Sequence, residues 1–368
     1  MNLLRRLHFP HEKYPALTGV RALGATAVFF DHIPLLAGTH VVINVMAFFY
    51  VLSGFLIVRI YYEQAEWRRE WLAKYFVNRF ARIYPVYFLL LTIAVALHHE
   101  WRPALLLSNY TLTHALFHGA TLLIQASWSL TVEETFYFLA PLFMLLARRR
   151  GNAAPLILGF ALLAIALGIS TLGFRFLGTP LFVFSTTFFG HFLEFLAGLY
   201  LARWVMRLET RGPLRLPGRR YTLAGSAGVL VLILVMVAIY AHEPLNHYAI
   251  VLVNNFLIPA PIAVLYLGLL REDTALARLL STPLAGLLGR ASYSFYLLQG
   301  LIVPYLRPIA ALPGPYARLT GVIAAFAALW LVAVLLFTTY EEPLNRLIRQ
   351  RFRSQDRSVG MRATLFRA

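Results

Sequence analysis

The sequence predicts an all-α, polytopic integral membrane protein with about ten transmembrane helices, and three observations predict it. Of 368 residues, 60% are hydrophobic and only 13% charged, whereas a soluble domain is about a quarter charged; mean hydropathy is +0.68. Apolar runs of the length needed to cross roughly 30 Å of hydrocarbon recur along the whole chain. The basic residues behind the net charge of +17 lie between those runs and not along one polar face, which is the pattern of membrane loops and not of a nucleic-acid binder.

The runs fall at about 17–38, 41–62, 82–99, 130–147, 154–173, 181–203, 222–241, 249–270, 288–309 and 319–340. The opening MNLLRRLHFPHEKYP resembles the charged start of a signal sequence. The run behind it, however, carries Arg21, Asp31 and His32 and has no persuasive cleavage site, so it is retained as the first span. With the N-terminus in the cytoplasm, cytoplasmic connections hold 28 Lys and Arg and the opposite side four, with Arg21 inside the first span. That bias places both termini in the cytoplasm. Residues 1–345 read as a single membrane-embedded domain and 346–368 as a basic tail. The longest outer connection, about 100–129 with Trp101, His114, His118 and Trp128, is expected as a re-entrant or interfacial segment. The absence of cysteine excludes disulfides, thiolate metal sites and a catalytic thiol.

Ionisable groups inside a span are costly and are functional candidates. Arg21 and His32 are eleven residues apart, three helical turns, so they share a face roughly 16 Å apart along the axis. The fourth span begins WSLTVEETFY. The same rise puts Glu133 at the depth of His32, where a carboxylate pairs with an imidazole, fixes its tautomer and raises its basicity. Two readings stand side by side, a catalytic pair and a structural polar contact between helices. Glu134 is the neighbour expected to point elsewhere, and Asp31 points about 100° from His32. His191 and Glu194, three apart on the sixth span, form a competing pair that reads better as structural. Arg79 and Arg82, one turn apart, make a fork suited to phosphate oxygens. Plain snorkelling arginines are the alternative, and Arg21 at similar depth argues for an anion among the three.

These segments together resemble the acyltransferase-3 membrane family, which includes bacterial polysaccharide and O-antigen O-acetyltransferases. The resemblance is carried by RALGATAVFFDH, FFYVLSGFLI, NRFARIYPVY, WSLTVEETFYFLAP, SYSFYLLQ and YEEP, in family order from about residue 15 to 345. It implies a ten-helix enzyme of the bacterial inner membrane that takes an acyl group, commonly acetyl, from cytoplasmic acyl-coenzyme A to a sugar hydroxyl at the outer face, with no metal. Carried residue by residue, it makes His32 the essential histidine, Arg21 its partner arginine, Arg79 and Arg82 the donor-binding pair, and Glu133 the glutamate after the tryptophan–serine–leucine signature. Glu341 becomes the terminal-motif glutamate, and Ser53 and Gly54 the small-residue turn of the second span, where close packing is as good a reading as chemistry. Two positions depart from the family pattern: Ala47 where an aspartate is common and Gln299 where a histidine is common. Many relatives also append an esterase-like domain beyond the membrane, and this chain is expected to complete transfer without one.

On this reading coenzyme A phosphates sit against Arg21, Arg79 and Arg82, the pantetheine arm threads outward between the first spans, and His32, oriented by Glu133, is the general base. Trp128, Ser129, Tyr296 and Gln299 are the oxyanion or substrate candidates. A ping-pong route through an acyl-enzyme stays open. The expected partners are the acyl donor, a sugar or lipid-linked glycan, and membrane lipid. The runner-up function is a transporter or flippase of a lipid-linked sugar, although no inverted repeat is found. A lipid- or protein-modifying acyltransferase and a sensory membrane protein are weaker readings.

Overall fold

A computed structural model describes residues 13–32, 45–173, 175–212, 218–242 and 247–352. Among them the repeating structure is helical, with one isolated β-bridge between Phe117 and Phe176. Helix α1 is Pro15–His32, α2 Val45–Tyr61, α3 Arg69–His98 and α4 Pro103–Tyr110. Next come α5 Trp128–Arg149, α6 Ala153–Ser170, α7 Pro180–Thr186, α8 Phe188–Glu209 and α9 Arg220–His242. The last are α10 His247–Leu252, α11 Pro259–Arg271, α12 Ala275–Leu280, α13 Pro283–Ile302 and α14 Pro315–Leu336. Each of the ten apolar runs coincides with helix, so the protein is a polytopic, all-α membrane protein.

Seven helical stretches among the described residues are long and apolar enough to cross a membrane. The elements that fall short are α1, α2 and α13. Helix α2 is apolar but has 17 residues, while α1 holds Arg21, Asp31 and His32 and α13 holds Arg290 and Gln299. Of the polar residues singled out above, these three carry Arg21, Asp31, His32, Ser53, Tyr296 and Gln299. The ninth run is displaced: its helix begins earlier, at Pro283, and beyond Ile302 the chain tightens into a 3₁₀ stretch, Val303–Ala311, with Pro304 and Pro308 in it. Residues 33–38 of the first run, 41–44 of the second and 353–368 of the expected tail lie outside the described residues; 346–352 continue the last helix.

Glycines set the closest helix crossings, as expected where association within lipid depends on backbone approach. Where α2 meets α8, a Cβ on Gly54 would collide with the Phe195 carbonyl and one on Gly198 with the Val51 carbonyl. Gly54 is therefore a packing residue. The same device joins α1 to α13, where Gly289 lies on the Thr18 carbonyl. Around the α2–α8 crossing, Phe136 stacks on Phe195 at 4.2 Å between centroids and Tyr50 on Phe195 at 4.8 Å.

Helix ends and breaks are satisfied by side chains. Pro141 inside α5 cannot donate to the Tyr137 carbonyl four residues back; the Tyr75 hydroxyl donates to it instead, at 2.9 Å. At the end of α11 the Glu272 carboxylate accepts from the Tyr221 and Thr222 amides at 2.9 and 2.8 Å, capping α9. Burial opposes its ionisation, but the Thr222 and Tyr221 amides and the Thr222 hydroxyl together hold it below the usual glutamate range.

The segment 100–127 packs over the bundle with its own buried polar interior. Asn109 is fully buried; its amide nitrogen donates to the Leu105 and Thr121 carbonyls, and its side-chain oxygen accepts from the Leu123 amide. His114 is likewise buried, with Nε2 3.0 Å from the Ser127 hydroxyl. Burial pushes its pKa down to about 4, against the partial support of hydrogen bonds at Ser108 and Ser127.

Candidate active site

A cavity of about 500 Å³ lies among α1, α2, α3, α5 and α13. Along α2 it runs from Tyr61 to Met46, about 22 Å at 1.5 Å per residue. Among the described lining residues, Arg21, Lys74, Arg79, Arg82 and Arg349 are basic and Glu133 is the acid. The arginines marked by sequence spacing thus converge, as expected for an anion site.

Their detailed arrangement departs from a symmetrical fork. Arg82 pairs with Glu341, which is 2% exposed and also accepts from the Ser294 hydroxyl at 2.6 Å. The π-helical turn Phe337–Glu341 turns that carboxylate inward. Arg79 lies instead between aromatic faces, 5.5 Å from the ring centres of both Tyr61 and Tyr137. The Nε atoms of Arg21 and Arg79 are buried without a hydrogen-bond partner. Such groups cost energy unless an anion meets them. Arg82 is charge-matched by the protein; Arg21 and Arg79 present the positive potential.

Glu133 does not pair with His32. Its carboxylate accepts from the Ser53 hydroxyl and from Tyr137, one helical turn further along α5. The expected pairing rested on equal depth alone. His32, the last described residue of α1, lines a different pocket, whereas Glu133 lies five residues inside α5 and faces the basic cavity beside Arg21. The Ser53 hydroxyl therefore does more than allow close packing: it holds the Glu133 carboxylate.

His32 lines a second pocket of about 360 Å³, the outer one on the sidedness that the basic residues predict, with Gln125, Ala126, Gln299, Gly300, Val303 and Pro304. Its ring is exposed. Nδ1 lies 2.7 Å from the Val28 carbonyl one turn back. A carbonyl can only accept, so Nδ1 carries the proton and Nε2 is left with its lone pair. A backbone carbonyl thus performs the orienting role expected of Glu133. The two compartments are separated by a small apolar cluster of Val28, Ala126 and Tyr296, backed by Val45 and Met46. The Tyr296 hydroxyl donates to the Ala126 carbonyl at 3.0 Å and lies 2.7 Å from the Ser129 hydroxyl. Arg21 and His32 thus line different chambers, and Tyr296 and Ala126 lie where the expected thread from one to the other would pass.

The four oxyanion or substrate candidates divide accordingly. Ser129 and Tyr296 are bonded to each other in the wall. Trp128 packs toward the His191 ring, 6.4 Å between centroids. Gln299 lines the outer pocket, 2% exposed, and neither atom of its amide has a hydrogen-bond partner. The His191–Glu194 pair forms at 2.9 Å, fully buried, with Nε2 3.2 Å from the Ser185 carbonyl. It lines neither chamber, in keeping with a structural pair. Glu134 turns from the cavity toward Tyr84, and Asp31 is half-buried beside His32. Ala47, at the position where the resemblance leads one to expect an aspartate, is fully buried.

Sequence reasoning missed Tyr137, Ser294, Lys74 and Arg349. Tyr137 had a legible signal, since it is four residues from Glu133. The partnership of Ser294 with Glu341, 47 residues apart, has none.

Comparison with known proteins agrees with this architecture. An acyltransferase domain model matches residues 14–339. The chain is 24% identical over 371 residues to Peptidoglycan O-acetyltransferase OatA of Listeria monocytogenes, an alignment covering 93% of this chain but 57% of that protein. It thus spans little more than half the length of that curated relative. No solved structure matches. A helical bundle that gathers half-buried arginines into one chamber and a histidine into another, matched across nearly its whole length by that model, this chain belongs to the acyltransferase-3 family.

Proposed function

We propose that this protein is a membrane O-acyltransferase that carries an acyl group, acetyl by preference, from cytoplasmic acyl-coenzyme A to a hydroxyl of a glycan on the opposite side. The observation that supports it best is the pair of buried, unpartnered Nε atoms of Arg21 and Arg79 in a chamber lined by five basic side chains. Diphosphate and phosphate groups supply the anionic charge those guanidiniums lack. Lys74, at the end of the chamber away from Met46, adds to the attraction. The Glu341 carboxylate fixes Arg82, and Glu133, held by Ser53 and Tyr137, balances charge beside Arg21.

The acyl end of the donor points along α2 toward the wall at Ser129 and Tyr296. Transfer requires the Tyr296 phenol to leave the Ala126 carbonyl and open a passage of one side chain's width. His32 Nε2 then takes the proton of the acceptor hydroxyl. The oxygen attacks the thioester carbonyl, the carbon–oxygen bond forms, the carbon–sulfur bond breaks, and the thiolate leaving group recovers the proton from the imidazolium. Since Nδ1–H stays on the Val28 carbonyl throughout, the ring shuttles the proton through one nitrogen.

The relative named for peptidoglycan makes that polymer the first acceptor to try. The experiment is transfer of labelled acetyl from acetyl-coenzyme A to glycan fragments by protein in proteoliposomes. Mass spectrometry of surface glycans from cells with and without the protein accompanies it. Donor-dependent ester formation is expected. Movement of a lipid-linked sugar without donor consumption would replace this reading with the flippase.

A further inference from the structure

We infer that Phe49 and Met46 on α2 form the end stop for the donor's acyl chain and hold the enzyme to acetyl against longer acyl groups. This rests on the acyltransferase reading and adds the residues that set donor specificity. The basic chamber is polarised along its length. At one end of its α2 wall Arg79 lies over the Tyr61 ring, and at the other Met46 Sδ is 3.6 Å from the Tyr296 hydroxyl. Phosphates held by the arginines leave the thioester and its acyl group facing the second end. Met46, Phe49, Tyr50 and Tyr296 line that end, and none of them is charged, so a chain that meets them is sorted by its length and not by its polarity.

The four side chains are not equivalent. Tyr296 has to move in transfer, so it cannot set a length limit. Tyr50 is stacked on Phe195 at 4.8 Å, with its hydroxyl 3.5 Å from the Ser129 carbonyl, and forms a fixed side wall. The Phe49 ring lines the chamber on one side and lies against α1 on the other. A Cβ on Gly24 would stand 2.8 Å from Phe49 Cζ and 2.9 Å from Cε2. The wall there is one ring thick, and Gly24 is the recess that lets the ring sit back from the chamber. The ring centre is 6.4 Å from that of Tyr296, and Met46, three residues before Phe49 on the same helix face, closes the corner between them. Apolar shape distinguishes one methylene by roughly tenfold or more where the packing cannot yield. An aromatic ring backed by a helix is such a stop, and the unbranched Met46 is its softer part.

The test uses the full chain in detergent or nanodiscs with coenzyme A, S-ethyl-coenzyme A and S-butyl-coenzyme A, thioethers that fill the acyl position without transferring. Binding is measured by calorimetry, alongside transfer from acetyl- and butyryl-coenzyme A. Wild-type protein is expected to bind the S-ethyl compound at least about tenfold more tightly than the S-butyl one. Phe49→Ala should bring the two within about threefold and admit butyryl transfer, and Met46→Ala should do the same to a smaller extent. Gly24→Ala, which drives the Phe49 ring into the chamber, should weaken S-ethyl binding while coenzyme A itself binds as in wild type, and adding Phe49→Leu should restore it. Equal affinity of the wild type for both thioethers would overturn the inference and leave the donor reading standing, as would a preference that survives in both Phe49→Ala and Met46→Ala. Failure of folded wild-type protein to bind coenzyme A would overturn the donor reading, and the inference with it.

Discussion

The two chambers solve the problem of polar groups in a membrane in opposite ways. The basic chamber is heavily internally matched: Arg82 on Glu341, Glu341 on Ser294, Glu133 on Ser53 and Tyr137, Arg79 between two tyrosine rings. The outer pocket has few such contacts, with His32 tied by one backbone carbonyl and Gln299 by nothing. Full charges in a low-dielectric bundle need counter-charges for the fold to persist, whereas neutral groups are tolerated unpartnered at modest cost. What is left unmatched in each chamber is therefore informative: two guanidinium Nε atoms in the basic one, an imidazole and a carboxamide in the other.

The largest expected effect breaks the matched side. Glu341→Leu leaves the half-buried Arg82 without its carboxylate and the buried Ser294 without its acceptor, a loss of about 3 kcal/mol, the low end for broken buried pairs. Folded yield and thermal midpoint by fluorescence size-exclusion should fall sharply, and Arg82→Met combined with Glu341→Leu should recover part of the loss. An unchanged midpoint in the single variant would show that the pair does not hold α3 to the last helix.

Removing the unmatched cations separates the chambers functionally. Arg21→Gln combined with Arg79→Gln is expected to raise KM for acyl-coenzyme A by tenfold or more, about 1.4 kcal/mol or greater. Thermal midpoint and acceptor KM should stay close to wild type. Altered acceptor use with unchanged donor binding would move the phosphates elsewhere.

A smaller effect lies in the segment 100–127. With burial holding His114 at about 4 against an ordinary 6.5, the unfolded chain binds more protons than the folded one between those values. Stability is thus fully present above pH 6.5 and falls as pH drops toward 4, by up to about 3 kcal/mol. The thermal midpoint should decline across that window in wild type and decline less in His114→Gln. An identical slope in both would remove His114 as the cause.

Much of this was readable from residues alone, for reasons that differ by element. Apolar runs of spanning length locate helical stretches along the chain, seven of them among the described residues long and apolar enough to cross a membrane, because nothing else satisfies backbone groups in lipid. The convergence of Arg21, Arg79 and Arg82 was readable because helical spacing fixes which residues share a face and depth. The His32–Glu133 pairing failed because equal depth does not say which neighbour a side chain faces, and Glu133 faces Ser53 and Tyr137. The wall at Tyr296 and the unpartnered state of Gln299 were invisible for another reason. Both depend on where α13 packs against the turn before α5, a contact between residues about 170 positions apart in the chain.

The central claim is that donor capture and proton removal are housed in separate chambers, and its most direct measurement is His32→Ala assayed twice on one preparation. Acyl-coenzyme A binding by calorimetry should match wild type, and acetyl transfer to glycan should fall by at least about a hundredfold, the usual contribution of a general base. Transfer at the wild-type rate, or loss of donor binding together with transfer, would contradict the account.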